Sequence, residues 1–116
     1  MKKLITLKQH AYSDAFLVIV AFLTPFVFGF TDNIIAAGFV WGNGILALTL
    51  NLFSKYHFGV VKVIPMKVHS IIEFAAFPGF ILIPTIFFPD VPGLPWVIPT
   101  LGIINLLTNI FTDYSK

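Results

Sequence analysis

Four stretches of this chain, 15–30, 34–53, 71–88 and 94–111, are apolar almost without interruption, and nearly every charge falls between them. Crossing a ~30 Å hydrocarbon core takes ~20 apolar residues as helix, because a helix satisfies its own backbone hydrogen bonds where no water can. The stretches are close to that length, and interfacial turns complete the shorter ones. A soluble core helix is rarely so long and apolar on all sides. Composition agrees, with 58% hydrophobic and 10% charged residues, well outside the soluble range. The predicted fold class is an all-α membrane protein of four transmembrane helices, over about 12–30, 34–53, 70–88 and 94–112, in a single domain over 1–116.

The charges that remain are asymmetric. Lys2, Lys3 and Lys8 precede the first helix, Lys55, Lys62 and Lys67 lie in the central loop, and Lys116 follows the last helix, whereas the other two connections carry Asp32 and Asp90 and no lysine. The positive-inside rule then predicts a multi-pass protein of the bacterial inner (cytoplasmic) membrane, with both termini and the central loop cytoplasmic. Trp96 near the outer end of helix four, and Tyr12, Tyr56 and Tyr114 near the inner ends, suit interfacial anchors. Lys8, His10 and Asp14 interrupt the start of the chain and no small-residue cleavage pattern follows the first apolar run, so that run reads as a retained helix. All seven basic residues are lysine, which leaves no bidentate arginine for phosphate recognition and argues against a nucleic-acid partner. Cysteine is absent, which closes disulfide, thiolate-metal and thiol chemistry.

Sliding the chain against itself by about 59 positions aligns Ile5 with Ile64, Lys8 with Lys67, His10 with His69, Asp14 with Glu73, Pro25 with Pro84, Phe28 with Phe87, Leu48 with Leu107 and Thr49 with Thr108. Apolar composition alone would not bring rare residues into one register. The expectation is two tandem helical hairpins, about 1–59 and 60–116, related by a pseudo-two-fold axis along the membrane normal in a four-helix bundle. The pattern resembles the SPW-repeat family of small bacterial and archaeal membrane proteins. Its unit is a hairpin with a His and an acid at its start and a Ser-Pro-Trp triplet near the far end of its first helix. The matching triplets here are Thr24-Pro25-Phe26 and Ile83-Pro84-Thr85. The resemblance implies a membrane location and a two-hairpin architecture, and no reaction.

His10 with Asp14 and His69 with Glu73 are each spaced i, i+4, so each pair lies on one helical face. Thr6 suits the cap of helix one and Pro65 the first turn of helix three, which sets both acids near helix N-termini. The default reading is a structural cluster in which the histidines bond the acids and nearby lysines, with no cofactor. One alternative is a divalent metal held by His10, Asp14, His69 and Glu73; another is a haem held axially by His10 and His69. His57, in the central loop, reads as solvated.

Asn43 and Asn105 lie near the middles of helices two and four, with Thr49 and Thr108 nearer the cytoplasm, and are expected to form interhelical hydrogen bonds. The absence of a mid-depth charge argues against a proton relay, coupled transporter or voltage sensor. Gly38, Gly42 and Gly44 on helix two and Ala75 with Gly79 on helix three offer small faces for close helix approach, expected inside the bundle. Pro25, Pro78 and Pro84 are expected to bend helices one and three. No nucleophile–base arrangement, phosphate loop or cofactor fingerprint is present. The functional expectation is therefore a non-enzymatic integral membrane protein: an accessory or structural subunit, or a small oligomeric scaffold, whose partners are lipid and another membrane protein or itself. The alternative is a haem- or metal-binding electron-transfer or sensory module.

Overall fold

The computed structural model describes residues 3–114; Lys2 and Lys116, counted in the lysine asymmetry, lie outside the described residues. Four helices account for most of it: α1 (Leu7–Val27), α2 (Ile34–Leu52), α3 (Met66–Phe87) and α4 (Leu94–Phe111). All four are long and apolar enough to cross a membrane. At 1.5 Å per residue they span ~27–33 Å, and the bundle measures 42 × 30 × 20 Å, comparable in its long dimension with a bilayer including headgroups.

The first and third helices begin earlier than their apolar stretches suggest. Thr6 and Gln9 form a capping box, in which the Gln9 amide donates to Thr6 Oγ1 (3.1 Å) and the Thr6 amide to Gln9 Oε1 (2.9 Å). This box satisfies two orphan donors and starts α1 at Leu7, so the polar turn carrying His10 is helical. Pro65 is the residue before α3, one position ahead of the first turn where it was expected, and α3 starts at Met66 with His69 inside it. At its other end α1 stops at Val27, where Gly29 turns left-handed (φ 73°) and the Phe30 amide reaches back to the Pro25 carbonyl (2.9 Å). That is a Schellman closure, and it leaves 28–30 outside the helix. Asn33 then caps α2 through the Ala36 amide (3.1 Å).

The helices pair as hairpins, α1 with α2 and α3 with α4, and α1 also packs on α4. No comparable contact joins α2 to α3. An apolar core of Ala21, Phe30, Ala36, Ala37, Val40, Leu94 and Ile98 fills the end of the bundle where the two short connections lie. Gly93 (φ 79°) opens α4 there, and a Cβ at that position would overlap the Phe28 ring.

The small residues pack differently from the expectation. Gly44 rests on the Phe22 ring, its Cβ position 3.1 Å from the nearest ring atom, and Gly102 on α4 lets α3 approach through Phe80. Gly38 and Gly42 have nothing within 4 Å, Gly79 meets only Ile83 of its own helix, and Ala75 is exposed. These four therefore do not mediate packing inside the chain; the neighbouring faces of α2 and α3 turn inward and theirs turn out. Pro25 and Pro84 are buried near the ends of their helices, Pro78 lies mid-helix on an exposed face, and Pro99 is a further proline inside α4.

Candidate functional site

At the end of the bundle opposite that core, α1 and α3 turn their i, i+4 pairs toward each other. His10 and His69 are fully buried, Asp14 is 3% exposed, and the Glu73 side chain is nearly enclosed. The four groups do not form two separate pairs. His10 Nε2 lies 3.3 Å from Asp14 Oδ2 and 3.1 Å from Glu73 Oε1, and His69 Nε2 lies 3.1 Å and 2.9 Å from the same two oxygens. Imidazole and carboxylate thus alternate around a ring, each histidine bridging the acids of both hairpins.

The outer nitrogens of the two imidazoles meet hydroxyls from the ends of α2 and α4. His69 Nδ1 is 2.6 Å from Ser54 Oγ, and His10 Nδ1 is 3.0 Å from Thr112 Oγ1. Each hydroxyl also donates to a carbonyl one turn back in its helix, Ser54 to Leu50 and Thr112 to Thr108. Short backbone pairings hold these hydroxyls in position. Ile64 bonds the residues on either side of Ser54 (Lys55 N to Ile64 O 2.9 Å, Ile64 N to Phe53 O 2.8 Å), and Ile5 bonds those on either side of Thr112 (Ile5 N to Phe111 O 3.0 Å, Asp113 N to Ile5 O 2.8 Å).

Two phenols complete the surroundings. Tyr56 is buried and donates to Asp14 Oδ2 (2.8 Å); Tyr114 donates to Asn109 Oδ1 (2.7 Å) and sits against the His10 ring. Burial, reinforced by the Asp14 charge, pushes the Tyr56 phenol far above its ordinary value, and burial pushes Tyr114 up to about 12. Both therefore remain protonated donors. Their positions correct the expectation that they anchor at the interface; Tyr12, which is exposed, retains a location suited to that role. The histidines' outer partners are hydroxyls, where lysines were expected, and Lys3 instead donates to the Ile110 carbonyl (2.9 Å). His57 is exposed and stacks near Tyr12 and Phe58.

Beside the ring, a cavity of about 330 Å³ occupies the gap between α2 and α3. Asp14 and Glu73 border it at the ring end, with Asn43, Asn51 and Asn105 set among apolar walls. Asn43 donates to the Phe39 carbonyl of its own helix (2.8 Å), and Asn105 pairs with Asn109 within α4, so neither makes the interhelical bond expected. Thr49 likewise bonds back to Ile45; Thr108 alone of these crosses between helices, to Ser13 (3.1 Å).

Ser54, Asn109 and Thr112 were not singled out from the sequence, and Tyr56 and Tyr114 were named only as interfacial anchors, though a signal was present. Asn51-Leu52-Phe53-Ser54-Lys55-Tyr56 and Asn109-Ile110-Phe111-Thr112-Asp113-Tyr114 share three identities, with Leu matched to Ile and Ser to Thr, at an offset one residue shorter than the 59 that aligns the histidines. A gap-free comparison passes over that match and pairs Thr49 with Thr108.

The arrangement leaves no slot for a porphyrin. Asp14 Oδ2 and Glu73 Oε1 are each within 3.3 Å of both Nε2 atoms, so they occupy the midplane through which a macrocycle shared by His10 and His69 would run. A single small ion is compatible with the same donors, whose ligand atoms all lie within 4.8 Å of one another. Compared with protein-family models, curated proteins and solved structures, the chain matches none.

Proposed function

We propose that this chain is a non-catalytic integral protein of the bacterial inner membrane, an accessory subunit or small self-associating scaffold, in which the histidine–carboxylate ring clasps two tandem hairpins. The observation that carries this reading is the disposition of its small residues. Gly38 and Gly42 face open space and Ala75 is exposed, among outward apolar side chains such as Ile45, Ile71 and Leu82. In lipid, faces of small residues favour close approach by another helix, through packing and not through a hydrophobic drive. The ring supports a clasp because each histidine touches acids of both hairpins, and removing one partner from a buried charged set costs ~3–5 kcal/mol.

Orientation with both termini and the 53–65 loop in the cytoplasm is supported by Lys8, Lys55, Lys62 and Lys67 lying toward the ring end and Asp32 and Asp90 toward the other. Tandem duplication is supported by the matched surroundings of the two histidines, and the likeness to the SPW-repeat family is consistent with it. In this reading α1 with α2, and α3 with α4, are copies related by a pseudo-two-fold axis.

Native mass spectrometry of the protein gently extracted from its own membranes tests assembly. We expect a multiple of the chain mass or co-migration with a larger complex, lost in Gly42→Leu while helix content is retained. A lone chain under every gentle condition, or assembly indifferent to Gly42→Leu and Gly38→Leu, overturns the reading.

A further inference from the structure

We propose that the ring of His10, Asp14, His69 and Glu73 is a binding site for one divalent transition-metal ion, coordinated by both Nε2 atoms and by a carboxylate oxygen from each acid. The inference rests on the ring geometry and is independent of whether the chain assembles with others.

Hydrogen-bond direction carries the first step. Ser54 Oγ lies 2.6 Å from the Leu50 carbonyl oxygen, a separation that only a donated proton makes attractive, so its single proton is engaged there. It must then accept from His69, whose Nδ1 carries the hydrogen. Thr112 donates to the Thr108 carbonyl in the same way and accepts from His10 Nδ1. In the neutral tautomer both Nε2 atoms are therefore bare, and their lone pairs point at carboxylate oxygens 2.9–3.3 Å away. Lone pair against lone pair repels unless a positive centre lies between them. A dication in the ring supplies it in one piece where otherwise a second proton on each imidazole would be needed, and with two carboxylates it leaves the site without net charge, which suits an apolar surrounding.

Size and composition fit. Metal–nitrogen and metal–oxygen bonds of ~2.0–2.2 Å set ligand-to-ligand edges of roughly 2.9–3.5 Å for square or tetrahedral arrangements. The four imidazole–carboxylate edges fall at 2.9–3.3 Å, so an ion needs only small adjustments. Two imidazoles with two carboxylates suit zinc, manganese or ferrous iron. The hydroxyls of Ser54 and Thr112 act as the outer partners that fix tautomer and ring orientation at such centres.

A second observation points to a ligand independently. Asp14 Oδ1 is buried without any hydrogen-bond partner, although the residue is 3% exposed and borders the cavity. A carboxylate oxygen left bare in an apolar interior is costly; a metal bound by both oxygens, or a ligand entering through the cavity, would satisfy it.

The test uses the full chain in detergent micelles, stripped with chelator and titrated with Zn²⁺ by calorimetry and with Co²⁺ by visible absorption. We expect one ion per chain and the intense d–d bands of low-coordinate cobalt. Affinity should fall at least 100-fold in His69→Ala, and 10–100-fold in Glu73→Gln and Ser54→Ala, with no change in His57→Ala. If His69→Ala fails to fold, Glu73→Gln and Ser54→Ala decide, with folding checked by circular dichroism. Absence of saturable one-to-one binding, unchanged affinity in Glu73→Gln and Ser54→Ala, or loss only in His57→Ala overturns the site and leaves the ring as a cluster of two protonated imidazoles and two carboxylates.

Discussion

Gly102→Ala should loosen the α3–α4 pair, and the size of the effect follows from one contact. A Cβ added at Gly102 would lie 2.8 Å from Phe80 Cβ and 3.4–3.5 Å from ring atoms of the same residue. Phe80 Cβ is bonded directly to its backbone, so rotating the ring does not relieve the overlap and the helices themselves must separate. Overpacking of this kind costs ~1–3 kcal/mol, against ~0.5–1 kcal/mol regained because alanine loses less backbone freedom than glycine. The net expectation is destabilisation by roughly 1–2 kcal/mol. Gly38→Ala and Gly42→Ala add a methyl where nothing lies within 4 Å, so they should be neutral or stabilising by up to ~1 kcal/mol. Reversible unfolding in mixed micelles titrated with dodecyl sulfate, followed by circular dichroism and tryptophan fluorescence, reads the difference as roughly a 5- to 100-fold change in the folding constant. If the alanines at positions 38 and 42 destabilise the isolated chain as much as the one at 102, the assignment of outward and inward glycine faces is wrong.

Tyr56→Phe removes the phenol proton from Asp14 Oδ2 and should cost ~1–2 kcal/mol in the same unfolding assay, whereas Tyr12→Phe at an exposed position should stay within ~0.5 kcal/mol; equal losses would remove Tyr56 from the site. Gly93→Ala and Gly29→Ala both impose a left-handed alanine worth ~1–2 kcal/mol. Gly93→Ala also overlaps Phe28 while position 29 is open, so a larger loss at 93 is expected and parity refutes that contact. Because the chain lacks cysteine, single-cysteine variants report orientation directly. Asp32→Cys and Asp90→Cys should react with a membrane-impermeant maleimide on intact spheroplasts and Lys62→Cys only after permeabilisation, and the opposite pattern inverts the topology.

Two of the helix ends show how local signals and apolar patterning differ in reach. The Thr6–Gln9 capping box is a sequence-local device, yet apolar patterning alone starts α1 near residue 12, because the turn it initiates is polar and carries His10. The i, i+4 spacing nevertheless brought out all four ring members from sequence, since helical periodicity sets which side chains share a face. Tyr56 was misread for a different reason. A tyrosine flanking an apolar helix has the same composition whether it faces headgroups or turns under the bundle to reach Asp14, and the choice depends on the path of the 53–65 loop.

By itself the sequence determined the four apolar helices, the hairpin order and the two His–acid pairs, because these follow from hydropathy and from the fixed geometry of the helix. Tertiary structure alone decided that each histidine bridges both acids, that Ser54 and Thr112 hold the outer nitrogens, and that α2 and α3 leave a cavity beside the ring. It also decided which glycines meet neighbours: Gly44 and Gly102 do, and Gly38 and Gly42 do not. The physical reason is that large apolar side chains lie on the outward faces of these helices as well as the inward ones. Hydrophobic pattern therefore carries no rotational information about each helix, and only the packing of specific side chains such as Phe22 and Phe80 chooses the inward face.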